Sequence, residues 1–272
     1  MQESRKKEIR ILASDVREQC NVGRYGIIDL FRECERMGYK LLRYPLGEDA
    51  HLGFVMKRDG DTVIFTNTCS RLSREIFTLA HEIGHALLHM EKEVSYMDDT
   101  VTISGRSKDE KEKEANYFAV CLLMPADKVD KFLDLELEEF VPDGLTAMDI
   151  ARMMSEFQVS FETAINRLES MGKISEAGRV RLDCERNQKR VGNLLRSVGG
   201  NSKLNEASQV IGIPYEYIDY VIYNYNHNAV PMETLEKVLA CYELTVEDIS
   251  DRLVMREEKE ADLGALIGGM DE

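Results

Sequence analysis

The residues at positions 81 to 85 are of types that can bind a metal ion and use it. They read His81-Glu82-Ile83-Gly84-His85 and fit the pattern H-E-x-x-H. Histidines four positions apart share one helix face, so both imidazoles can reach one ion, while the adjacent carboxylate can accept a proton from water. Zinc lowers the pKa of a bound water towards about 7. The spacing therefore predicts a zinc site with His81 and His85 as ligands and Glu82 as the general base of a hydrolase.

The segment that carries this motif is predicted to be a helix from Ser73 to Met90. Its apolar residues form one wide arc at helical spacing: Ile76, Leu79, Ile83, Ala86, Leu87 and Met90. The opposite side carries the histidines together with Phe77 and Leu88, so we expect the helix to be buried nearly all round. Burying two histidines and a glutamate without partners would be costly. This favours a metal site over a structural histidine pair.

A catalytic zinc site of this kind needs a third protein ligand. The extended pattern H-E-x-x-H-x-x-G-x-x-H is excluded, because Leu88 and Glu91 stand where it requires Gly and His. His89 lies one turn after His85, but we expect it to point away from the pair, either behind the ligands or on the surface. The next predicted helix, from Asp109 to Met124, contains better candidates.

Three glutamates near the start of that helix are compared for the third position. An apolar stripe along the helix contains Phe118, Cys121 and Leu122. Glu114 begins this stripe and is predicted to face inward, where a buried carboxylate requires a cation. Glu110 is one turn earlier and is the second candidate, whereas Glu112 is expected to point elsewhere. Two histidines and one glutamate with an open fourth position are a known catalytic zinc arrangement.

The elements that must position these residues come before and between the two helices. A helix is predicted from Gly26 to Gly38, where apolar residues recur at helical spacing and a glycine ends the run. Gly53–Lys57 and Thr62–Thr66 are β-prone and are joined through an Asp-Gly turn, which predicts an antiparallel hairpin. The polar stretch between the helices has a β-like core at Val101–Ile103.

Beyond Pro142 the pattern is helical. Thr146–Phe157 and Phe161–Met171 have the spacing of a helix-turn-helix, but residues 161 to 168 of the second helix carry one basic and one acidic side chain. Such a helix is poorly suited to phosphate contact, so we favour a packing or substrate-positioning role. In the last module, the candidate recognition helix Tyr215–Tyr220 contains no Lys or Arg and favours a protein contact over DNA.

Composition indicates which partners and which compartment to expect for this protein. The formal net charge of −15 disfavours nucleic acid as a partner at long range. Six scattered cysteines without a C-x-x-C pair are typical of reduced thiols. The sequence shows no signal peptide and no apolar run long enough for a membrane span. We therefore expect a cytoplasmic protein without membrane contact, and a homo-oligomer remains compatible with the sequence.

Three blocks of the chain resemble the ImmA/IrrE family of metallopeptidases. They are Phe65-Thr66-Asn67, the run Arg74 to His89, and Glu112 to Ala119 followed by Leu122-Leu123-Met124-Pro125. The resemblance covers about residues 20 to 170. It implies a zincin-like fold, Glu114 as third ligand, and cleavage of helix-turn-helix repressors from mobile elements or stress regulons. The last module resembles a degenerate helix-turn-helix of the XRE class.

Together these patterns predict an α+β protein in three parts. Residues 1–140 are expected to form a zincin-like peptidase domain with a small antiparallel sheet, residues 141–197 a helix-turn-helix-like module and linker, and residues 198–272 a degenerate XRE-like helical module. The predicted function is that of a zinc (Zn²⁺) endopeptidase acting on a protein substrate, an XRE-type repressor. The alternatives are a transcriptional regulator with a structural or sensory metal site and a non-catalytic partner-binding protein.

Overall fold

The computed structural model describes residues 1–58, 60–90, 95–98, 109–137 and 140–254. The protein forms two compact units, Met1–Pro214 and Tyr215–Glu272. The predicted β-like core Val101–Ile103 lies outside the described residues, as do residues 255–272. Within the described part the fold is α+β and mostly helical, as predicted.

A four-stranded sheet lies in the first unit. Its strands are β1 (Lys40–Tyr44), β2 (Gly53–Arg58), β3 (Asp61–Asn67) and β4 (Ser95–Asp98). The spatial order is β1-β3-β2-β4. β2 and β3 form the predicted antiparallel hairpin, and β4 is antiparallel to β2. The sheet is nevertheless mixed and not purely antiparallel, because β1 pairs in parallel with β3. β1 is followed in the chain by β2, but the two strands are not neighbours in the sheet, because β3 lies between them.

Five helices are described in the first part of the chain, around and beside this sheet. They are α1 (Glu3–Gln19), α2 (Leu30–Arg36), α3 (Leu72–Leu88), α4 (Glu110–Leu123) and α5 (Ala126–Glu136). Two of them, α2 and α3, pack on the sheet. α3 is the predicted motif helix, and it packs against β2, β3 and α4. α2 is shorter than predicted, because Asp29 caps its N-terminus by accepting a hydrogen bond from the Arg32 backbone.

The helices that follow belong to the same unit. They are α6 (Ala147–Phe157), α7 (Phe161–Ser170), α8 (Glu176–Lys189), α9 (Val191–Ser197) and a 3₁₀ turn at Ser202–Asn205. α6 and α7 are the predicted pair of short helices around a tight turn. Arg167, the basic residue of α7, is buried and donates to the Met124 carbonyl at 2.9 Å. This contact agrees with a packing role for α7.

A strap formed by residues 206 to 212 continues along the first unit. Arg43 and Gly212 exchange two backbone hydrogen bonds of 2.7 and 2.9 Å. The Leu72 amide donates to the Glu206 carbonyl, and the Gln209 amide to the Thr68 carbonyl. The first compact unit therefore extends to Pro214, and the boundaries after residues 140 and 197 stay predictions. Local patterning could not reveal these long-range backbone pairings.

The second unit is small and helical. It contains α10 (Glu216–Asn226), α11 (Met232–Ala240) and a 3₁₀ segment at Glu247–Arg252. Its core consists of Val221, Ile222, Tyr225, Leu235, Leu239 and Ile249. The side chains of Tyr215, Tyr220 and Tyr223 are exposed. Among the described residues, no helix of either unit has the length and apolar character needed to cross a membrane.

Candidate metal centre

The contact between α3 and α4 is close because a glycine faces an alanine. A Cβ atom added to Gly84 would lie 3.0 Å from Cδ1 of Phe118 and 3.2 Å from Cα of Ala115. These distances are shorter than the usual separation of about 3.5–4.0 Å between carbon atoms. The glycine inside the H-E-x-x-H motif thus lets the two helix backbones approach. It brings the first turns of α4 next to the histidines.

Three buried side chains converge where the helices meet. Nε2 of His81 lies 3.0 Å from Nε2 of His85. Glu112, from α4, places Oε2 3.3 Å from Nε2 of His81 and Oε1 3.3 Å from Nε2 of His85. Among the described residues this is the set of three that could hold a metal ion, with donor atoms within 4.8 Å of one another.

The spacing of these donor atoms fits a zinc ion. Zinc binds imidazole nitrogen and carboxylate oxygen at about 2.0–2.2 Å, so two ligands of a tetrahedral ion lie about 3.3–3.6 Å apart. The separations of 3.3 Å between Glu112 and each histidine match that edge, and the 3.0 Å between the two histidines is slightly shorter. Burial would raise the pKa of Glu112, but the neighbouring His81 and His85 lower that pKa below its usual range. The carboxylate is therefore ionised, as a metal ligand must be.

The Nδ1 atom of each imidazole, on the side away from Glu112, also has a polar partner. Nδ1 of His81 is 3.1 Å from Oδ1 of Asn116, and Nδ1 of His85 is 3.0 Å from Nδ1 of His89. An amide oxygen accepts only, so Nδ1 of His81 carries the proton and Nε2 keeps its lone pair. Partners of this kind orient metal-binding histidines. Both Nε2 atoms consequently face the space in front of Glu112.

Glu82 lies on the same helix and is fully buried. Gly53, the first residue of β2, lies close to this carboxylate. A Cβ atom at that position would lie 2.8 Å from Oε1 of Glu82. The carboxylate is thus enclosed between the helix and the start of a strand. In such an enclosed setting a proton acceptor next to the donor set is shielded from bulk water.

A family model for the IrrE N-terminal-like domain, Peptidase_M78, matches residues 34–169, which is half of the chain. The protein belongs to the M78 peptidase family. The match contains α3 and α4 and therefore every residue of the donor set, and it confirms the resemblance to the ImmA/IrrE peptidases. A comparison with curated proteins finds no match.

In this M78 peptidase Glu112, and not Glu114, lies at the histidine pair. Glu114 instead accepts a hydrogen bond from Arg5 on α1 at 2.7 Å and lies 3.2 Å from His89. Glu110, the second candidate, is exposed and pairs with Lys113. The expectation that Glu112 points elsewhere was wrong. Residues two apart on a helix face different sides, so the face that brings Glu112 to the histidines turns Glu114 away from them.

A signal in the sequence could have identified Glu112. The helix face that meets α3 contains the small residues Ala115 and Ala119, which share a stripe with Glu112. The bulky stripe that begins at Glu114 favours the other carboxylate, since large apolar residues usually mark the buried side. Here the backbone of a small residue, Ala115, lies opposite Gly84 together with the ring of Phe118. His89 lies behind His85, one of the two positions expected for it, and Asn116 was not predicted.

Proposed function

We propose that the protein is a zinc-dependent endopeptidase. In this proposal His81, His85 and Glu112 are the zinc ligands and Glu82 is the general base. The observation that supports it most directly is the buried donor set, in which the two Nε2 atoms lie 3.0 Å apart and each lies 3.3 Å from an oxygen of Glu112, next to a buried carboxylate. Membership of a peptidase family supports the reaction type.

The residues divide the chemistry between them. A zinc ion held by three protein ligands supplies a Lewis acid that acidifies a water molecule and polarises a carbonyl group. Glu82 accepts the proton of the attacking water and passes it to the departing amine. The contacts at Nδ1 of His81 and His85 orient the two rings so that their Nε2 atoms face the ion. Glu112 contributes the negative charge that a dication requires.

The proposed substrate is a repressor-type helix-turn-helix protein in the cytoplasm. A peptidase family implies a protein substrate, and the resemblance to ImmA/IrrE peptidases suggests this class. We further propose that the second unit helps to recognise it. α10 has an acidic first turn and exposed tyrosines, which suit a protein contact better than a phosphate backbone.

The deciding experiment combines metal analysis with cleavage of purified XRE-type repressors and of a peptide library. The wild-type protein should contain about one zinc per chain. His81→Ala should lose the metal, whereas Glu82→Gln should keep it and lose about 10²–10⁴-fold in rate. Glu110→Gln is the matched control, because this exposed carboxylate lies outside the donor set. Undiminished cleavage by zinc-loaded Glu82→Gln would refute the mechanism.

The third ligand requires its own comparison. Glu112→Ala should lose zinc in metal analysis, while Glu114→Ala should retain it at saturating zinc. Zinc retained by Glu112→Ala but lost by Glu114→Ala would restore the assignment from the sequence resemblance.

A further inference from the structure

A row of polar side chains leads from the proposed ligand His85 to the first helix of the chain. Nδ1 of His85 is 3.0 Å from Nδ1 of His89, and Nε2 of His89 is 3.2 Å from Oε2 of Glu114. The same carboxylate oxygen accepts a 2.7 Å hydrogen bond from Nη2 of Arg5. Only 5% of the His89 side chain and 16% of the Glu114 side chain are exposed. The row is therefore held inside the protein where it meets His85.

The direction of every hydrogen bond in this row follows from its two ends. A carboxylate paired with a guanidinium is an acceptor, so Nε2 of His89 must be the donor to Glu114. A neutral His89 then has its lone pair on Nδ1 and accepts from Nδ1–H of His85. His85 is left with its lone pair on Nε2, the atom that faces Glu112. One protonation pattern thus satisfies all three contacts.

The other proposed histidine ligand has a simpler partner. His81 meets the neutral side-chain amide of Asn116. The row behind His85 ends instead on an ionised carboxylate, and a carboxylate relayed through a hydrogen bond makes an imidazole a stronger metal ligand. Arg5 lies on α1, outside the residues that match the family model. The matched domain alone therefore does not contain the whole row.

We propose that His89, Glu114 and Arg5 are positioning residues that fix the tautomer of His85 and strengthen its bond to the metal. This inference rests on the proposed function, because it requires His85 to be a zinc ligand. The three residues act through His85, with Glu114 acting through His89 and Arg5 through Glu114. They bind neither the metal nor the substrate.

The test measures zinc affinity in the full-length protein by competition with a chelator of known affinity. His89→Ala should weaken zinc binding about 10–100-fold, and Glu114→Gln should weaken it in the same direction. The double variant should bind zinc no more weakly than His89→Ala, because the carboxylate has no route to His85 once the imidazole is gone. Arg5→Ala should show the smallest loss of the three single variants.

Two control variants separate this role from simple stability. Arg10→Ala removes another α1–α4 contact, the 3.0 Å hydrogen bond to Tyr117, and Glu110→Gln removes another carboxylate of α4. Both should bind zinc like the wild type, and melting of the zinc-free proteins shows whether each variant is folded. Folded His89→Ala with unchanged zinc affinity, or additive losses in the double variant, would overturn the inference. A wild-type protein that binds no zinc would overturn the proposed function as well, which distinguishes the two failures.

Discussion

Adding one methyl group at Gly53 should lower both the free energy of unfolding and the rate of cleavage, through two different contacts. Gly53 is the first residue of β2 and lies against α3. In Gly53→Ala the new Cβ would be 2.5 Å from Cγ2 of Thr78, 2.8 Å from Oε1 of Glu82 and 3.0 Å from the Phe65 carbonyl oxygen. All three distances are below the usual contact separation of about 3.5 Å. Either the strand moves away or both helix side chains change position.

The size of the effect can be worked out from these contacts. Overpacking of a well-packed site costs about 1–3 kcal/mol, and replacing glycine by alanine returns about 0.4–1 kcal/mol through the unfolded chain. We therefore expect a net loss of about 1–2 kcal/mol in the free energy of unfolding. Displacing a catalytic group by about 1 Å can cost about 10²-fold in rate. Zinc content should not change, because none of the three atoms belongs to a proposed ligand.

A companion variant distinguishes the two effects. Thr78→Ser removes the methyl group that makes the closest contact and leaves the contact with Glu82 in place. In Gly53→Ala/Thr78→Ser the melting temperature should return towards that of Thr78→Ser alone, while the cleavage rate should stay low. Thermal unfolding and repressor or peptide cleavage measure these quantities. Wild-type rates in zinc-loaded Gly53→Ala would refute the placement of Glu82 against β2.

Four further outcomes are expected. Gly84→Ala should push α4 away from α3 and weaken zinc binding in chelator competition, because its Cβ would meet Ala115 and Phe118. Zinc at about 100 times its dissociation constant should raise the melting temperature by about 5–10 °C in the wild type but not in His81→Ala. The full-length protein should not bind duplex DNA at low salt, because α10 is acidic and bears tyrosines. Binding that falls steeply as salt rises would contradict the inference that this helix is unsuited to phosphate contact. Truncation after Pro214 should preserve zinc binding and slow repressor cleavage, and equal rates with folded protein would remove the docking role of the second unit.

The local part of the site could be predicted from the sequence because helix geometry alone determines it. Residues at i and i+4 share a face in any α-helix, so the relation of His81 to His85 does not depend on the rest of the fold. The hairpin of β2 and β3 and the helix pair α6–α7 are local in the same sense, since turn residues and apolar spacing lie within each segment. These elements are all present in the structure.

The partners that meet this helix from elsewhere depend on tertiary packing. Whether Glu112 or Glu114 reaches the histidines is decided by which face of α4 packs on Gly84, and that contact joins residues about thirty positions apart. Arg5 reaches Glu114 from α1, more than a hundred residues earlier in the chain. Such contacts depend on side-chain volumes on two surfaces at once, whereas sequence periodicity describes one element at a time. The sequence by itself therefore determined the motif and its chemistry, and only the tertiary structure decided which carboxylate completes it.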